Sequence, residues 1–140
     1  MGLDIMTSDN KKNFHIGYIG FTIMRSLFIL HYGKELYKDY NNICEATLSL
    51  SNEFDDSYNK LLEKIGDLSI LIDHSDCDGE LTSDECKQLL PCLFVDEEKI
   101  KNKASIENQE YLNRMIKNMY EFIDLIDYCA KNNNIKLIFG

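Results

Sequence analysis

Tryptophan is absent from the sequence, and proline occurs once, at Pro91. With so little proline, helix ends have to be read from glycine, asparagine and capping residues. Positive charge is scarce too: 15 Lys and Arg stand against 24 Asp and Glu, for a formal net charge of −9. That deficit argues against nucleic acid as a partner, because phosphates call for clustered Lys and Arg. It argues equally against anionic membrane surfaces. It leaves room for a basic protein partner or a cation. A long uninterrupted apolar run is also lacking. The nearest, FHIGYIGFTIMRSLFIL, is broken by Arg25 and two glycines, and no small-residue cleavage site follows it. The opening MGLDIM carries Met6 where myristoylation requires Ser or Thr. The expectation is a cytoplasmic chain that engages neither membrane nor nucleic acid.

What is present suits a single domain over 1–140. The chain has 140 residues and is 44% hydrophobic, which allows one core of good size. Five cysteines without an export signal point to reduced thiols and no disulfide.

Two apolar segments, GLDIM and FHIGY, flank the polar TSDNKKN and read as a hairpin. From Gly20 the period changes: Phe21, Met24, Leu27, Phe28 and His31 share one helical face, with Gly33 as the stop. KELYKDYNNICEATLSLS stays open between short helices and loop. Ser51 or Asn52 can cap a helix carrying Phe54, Tyr58, Leu61, Leu62 and Ile65, which Gly66 ends. DLSILID is a short helix or an extended run. Thr82 and Glu85 form a capping box for a helix that Pro91 kinks or ends. Ser105 to Lys131 is the strongest helix, with Leu112, Met115, Ile116, Met119, Phe122, Ile123, Ile126 and Cys129 in register and a left-handed Asn as C-cap. IKLIF is a last strand. The fold expected is α+β: mainly helical, with a small antiparallel sheet made by the N-terminal hairpin and the C-terminal strand.

The chemistry concentrates in HSDCDGELTSDEC, His74 to Cys86. With Gly79 at the sixth position of a calcium loop, Asp76 is third, Asp78 fifth, Glu80 seventh through its carbonyl, Thr82 ninth and Glu85 twelfth. His74 occupies the first position, where hard calcium prefers oxygen, and the entering segment lacks the apolar register of a helix-loop-helix hand. The loop therefore resembles an EF-hand in its second half only. A zinc set of His74, Cys77 and Cys86, with Cys92 or an Asp as fourth ligand, is the other metal reading. The simplest account needs no ion: Asp-Gly turns the chain, Thr82 and Glu85 cap the helix, and the acidic groups favour its positive end. No cofactor is expected on that account, with calcium or zinc as the alternatives.

No triad spacing, nucleophile elbow or phosphate-binding glycine loop occurs. A thiolate at Cys77 with His74 as base is disfavoured by the neighbouring carboxylates. His31, alone on an apolar face, reads as a satisfied core residue. Arg25 stands inside the most apolar run, so its guanidinium should find a carboxylate or carbonyls, or snorkel to the surface; the expectation is an acidic residue or carbonyls near the loop.

MGLDI, the segment FHIGYIGFTIMR, the HSDCDGEL motif and a long helix ending in IKLIF together resemble a family of small bacterial and prophage proteins. The resemblance carries no activity, cofactor or partner. It implies a bacterial or prophage origin and a shared site at Arg25, His74, Asp76, Cys77, Asp78 and Gly79. Glu85 joins those residues as a further member of the loop. Two functions remain in view: a non-enzymatic, acidic cytosolic binding protein, or a hydrolase-like enzyme using the His74–Glu85 loop, with or without a metal.

Overall fold

Alternating side chains build the first two strands, β1 (Gly2–Thr7) and β2 (Asn13–Gly17). Leu3, Ile5, Phe14 and Ile16 are buried on one face, while Asp4 and His15 face water on the other. The computed structural model describes residues 2–47, 55–75 and 78–140. The turn between the strands puts Asn10 at φ 61, which Asn tolerates. Asp9 organises that turn by accepting from the Thr7 hydroxyl at 2.6 Å, the Lys11 amide at 3.1 Å and the Tyr128 hydroxyl at 2.5 Å.

Helix α1 (Tyr18–Leu30) follows β2 directly, and α2 (Lys34–Thr47) and α3 (Asp55–Ile65) come next. A 3₁₀ turn and α4 (Ser69–Ile72) lead into the loop of interest. Beyond it lie β3 (Glu80–Leu81), α5 (Ser83–Leu89), α6 (Glu97–Lys103), α7 (Gln109–Lys131) and β4 (Leu137–Phe139). The sheet has the order β2-β1-β4-β3, all antiparallel. Its register pairs Leu3 with Ile16, Ile5 with Phe139, and Leu81 with Leu137. The buried face of the sheet meets α1 and α7. Phe122 of α7 is the centre of that core, with its ring 6.5 Å from Phe14, 6.4 Å from Phe21 and 6.3 Å from Phe28.

The expected α+β class and the sheet of hairpin plus C-terminal strand are present, with β3 as a fourth member. KELYKDYNNICEAT is one continuous helix, because Tyr37, Tyr40 and Ile43 repeat every third residue and all three are buried. DLSILID is helical rather than extended. Gly66 ends α3 at φ +58, as its lack of a Cβ suits. The long helix begins at Gln109, later than Ser105, because the Asn108 side chain caps it by accepting from the Tyr111 amide. Asn132 corrects one expectation. It ends α7 at φ −124, outside the left-handed region, and its side-chain amide donates to the Tyr128 carbonyl instead. The proposed caps Ser51 and Asn52 lie outside the described residues.

Candidate functional site

The loop after α4 is assembled from both ends of the chain. His74 is its hub. The imidazole lies 4.2 Å, ring centre to ring centre, from Phe139 of β4. Its Nδ1 is 2.7 Å from the Ser75 carbonyl and its Nε2 is 3.3 Å from the Glu80 carbonyl. Gly79 passes over the same ring. It holds φ +102, and a Cβ there would sit 3.3 Å from two imidazole atoms, so both conformation and space select glycine. The Gly79 carbonyl accepts from the Phe139 amide at 2.9 Å, which pins the loop to the sheet just before β3.

On the far side, the capping box is complete. The Thr82 hydroxyl accepts from the Glu85 amide at 3.2 Å, and the Glu85 carboxylate accepts from the Thr82 amide at 3.0 Å. Ser83 is buried and donates to the Cys129 carbonyl at 2.7 Å, which fastens α5 to α7. Glu80 pairs with Lys136 at 3.0 Å. Two members of the expected calcium set, Thr82 and Glu85, thus serve the helix end, while the Glu80 carbonyl, the group that set would use, lies beside His74 Nε2. Asp78 is exposed. Asp76 and Cys77 lie outside the described residues.

Of the zinc set, His74, Cys86 and Cys92 lie among the described residues, and these three are not grouped. Cys86 is fully buried and its thiol donates to Cys129; that bond, burial and the neighbouring Cys129 charge push the Cys86 thiol up. The same bond lowers Cys129. Cys92 donates to the Gln88 carbonyl of its own turn. Cys44, Cys86, Cys92 and Cys129 are free thiols. Among the described residues, no three His, Cys, Asp or Glu side chains are grouped so as to hold a metal ion.

Arg25 reaches this loop from the middle of α1. It is 6% exposed, and its Nη2 donates to the His74 carbonyl at 2.5 Å. The guanidinium carbon lies 4.2 Å from the centre of the Phe21 ring, one turn back on the same helix. The expected carbonyl contact near the loop is therefore made. A carboxylate is not: among the described residues, no ion pair involves Arg25. The surroundings come from α2 and α3. The Tyr40 hydroxyl is within hydrogen-bonding reach of Arg25 and Cys44. Burial is the main cause that pushes the Tyr40 phenol up, with Arg25 opposing it. Tyr58 donates to Asp73 at 2.8 Å, and burial followed by that bond pushes its phenol up as well. Burial also raises the Cys44 thiol, against the pull of Tyr40 and Arg25. Tyr40 and Cys44 were not singled out by sequence reasoning, and Tyr58 was read only as part of a helix stripe, since nothing in one dimension places them beside Arg25.

Next to this cluster an open groove of ≈ 340 Å³ is lined by Leu62, Ser69, Ile70, Asp73, His74, Leu81 and Glu85. Asp73 faces both the groove and the Arg25 cluster. His31, by contrast, is half-buried at the end of α1 with both ring nitrogens bonded to backbone. Its Nδ1–H donates to the Leu27 carbonyl at 3.0 Å, and its Nε2 accepts from the Asp96 amide at 2.9 Å. No helix among the described residues is long and apolar enough to cross a membrane.

No family model matches the chain, and no curated protein or solved structure is significantly similar to it.

Proposed function

We propose that the chain is a non-enzymatic binding protein of the cytosol, which offers the acidic rim from Asp73 to Glu85 to a basic partner. One observation carries this reading. His74 and Glu85 of this loop are engaged with backbone, whereas Asp78 and Asp84 are exposed on a braced support. The His74 ring sits between two backbone carbonyls, Glu85 is tied to the helix start, and the loop itself to β4. Rigid placement of charge lowers the entropy lost on binding, and a net charge of −9 speeds encounter with a cation.

The test uses a defined lysine-rich peptide rather than a lysate. Its affinity should fall as salt rises. It should weaken in the Asp78→Asn, Asp84→Asn double variant and stay unchanged in a Glu107→Gln, Glu110→Gln control at the start of α7. Equal losses in both variants would reduce the binding to net charge and sink the proposal.

The open groove lined by Asp73, His74 and Glu85 favours a second reading, a hydrolase-like enzyme that uses the His74–Glu85 loop with or without a metal, calcium and zinc being the ions to try. Titration of each ion into chelator-stripped protein tests the metal-dependent form. A Kd below about 10⁻⁵ M, the range of sensor loops, together with a raised Tm, would favour this reading over the first.

A further inference from the structure

Arg25 presents an imbalance that the acidic rim does not explain. A guanidinium has five N–H donors and keeps its charge at every accessible pH. Here it is 94% buried by residue area, as the complement of its 6% exposure. One donor is spent on the His74 carbonyl, and Tyr40 stands within reach of another. Its Nε is buried and has no hydrogen-bond partner. Burying a cation without a counter-charge is costly, and an orphaned N–H adds to that cost. A structural arginine would be expected to close both accounts. This one closes neither among the described residues.

The groups around it are those that recognise an oxyanion. The guanidinium is a planar fork suited to two oxygens at once. Tyr40 adds a hydroxyl that burial keeps neutral; its hydrogen now faces Cys44, so it turns to a ligand by exchanging that partner. Phe21 covers one face of the guanidinium, which fixes its plane. Tyr58, half-buried on α3 and also close enough to feel the Arg25 charge, is a second hydroxyl at the border of the cluster. Asp73 already occupies the hydrogen of Tyr58, so that hydroxyl becomes available to a ligand only by exchanging partners.

We propose that Arg25, with Tyr40, is the recognition site for the carboxylate or phosphoryl group of a small ligand at the junction of α1, α2 and α3. The overall negative charge opposes such a ligand at long range. At contact, one guanidinium in a low-dielectric setting outweighs that field, which salt screens over roughly 10 Å. Occupation would also reach the loop, since the same guanidinium holds the His74 carbonyl. The proposal is independent of the basic-partner reading, and either can fail alone.

Inorganic phosphate and acetate are the probes, each titrated against chloride at matched ionic strength. The Nε–H resonance of Arg25 in ¹H–¹⁵N spectra needs no variant and reports directly on the orphaned donor. It should shift saturably with one or both probes, and the stronger response identifies the phosphoryl or the carboxylate source. The Tm should rise with the same probe. Arg25→Gln should abolish the Tm response. If that variant does not fold, Tyr40→Phe serves in its place and should weaken affinity several-fold. Absence of any saturable shift in the unaltered chain would overturn the proposal. So would a Tm response that survives Arg25→Gln, or an affinity unchanged in Tyr40→Phe.

Discussion

At the scale of the single residue, His31 shows what an imidazole can do without catalysis. Asp96 offers only an amide donor, so Nε2 must accept, and the ring proton belongs on Nδ1 facing Leu27. The neutral ring thus ties α1 to the start of α6. Burial is the largest cause that lowers its affinity for a second proton below the ordinary 6.5. The Leu27 bond and Asp96 oppose this, while nearby Lys99 adds to it. The unfolded chain therefore binds the proton more readily than the folded one. Stability is complete above about pH 6.5 and is lost as pH falls through the lowered folded value. Urea midpoints measured across that window should decline toward acid in the natural chain and decline less in His31→Gln. A parallel decline in both would show that other groups cause it. Arg25 teaches a different lesson at the same scale. Its charge in the apolar run TIMRSLFIL was legible in sequence, and so was its need for carbonyls. Its orphaned Nε was not, because Phe21, Tyr40 and Tyr58 become neighbours only when three helices pack.

Among the elements, α5 depends most on its ends. Seven residues are too few to hold a helix in water, so its stability comes from the cap and from packing on α7. Removal of the Thr82 hydroxyl orphans the Glu85 amide. Thr82→Ala should cost about 1 kcal/mol, read as a lower urea midpoint with unchanged slope. A cost near zero would mean that water replaces the cap at no loss. This element was readable because a capping box is local chemistry, four residues long. Other elements were not. Helix α2 was obscured because its buried stripe is built from Tyr37, Tyr40 and Ile43 among many polar residues, and tyrosine reads as either surface or core. Strand β3 could not be foreseen, since two residues become a strand only beside β4. The hairpin was legible through alternation, and α7 through many turns of repeated period.

Over the whole molecule, Phe122 joins what the sequence separates. Its ring meets Phe14 of β2 and both Phe21 and Phe28 of α1. Phe122→Ala should cost roughly 3–5 kcal/mol, through lost contact and the cavity left behind. Against a total stability of about 5–15 kcal/mol, that is a large share, and thermal unfolding should show Tm fall by many degrees. A small drop would mean that the helices close over the gap. The order of the sheet has a further consequence for the way the protein is made. β4 lies between β1 and β3, yet it is the last of the four in chain order. On the ribosome, the hairpin and every helix among the described residues emerge before it. Until then one edge of β1 has no strand beside it, and the Phe139 ring that supports His74 is missing. The loop and the sheet are therefore completed in a single late event. An mRNA that breaks off before the codons of β4 would leave translation with a nascent chain that has these helices but an open, adhesive sheet, a substrate for chaperones and proteases.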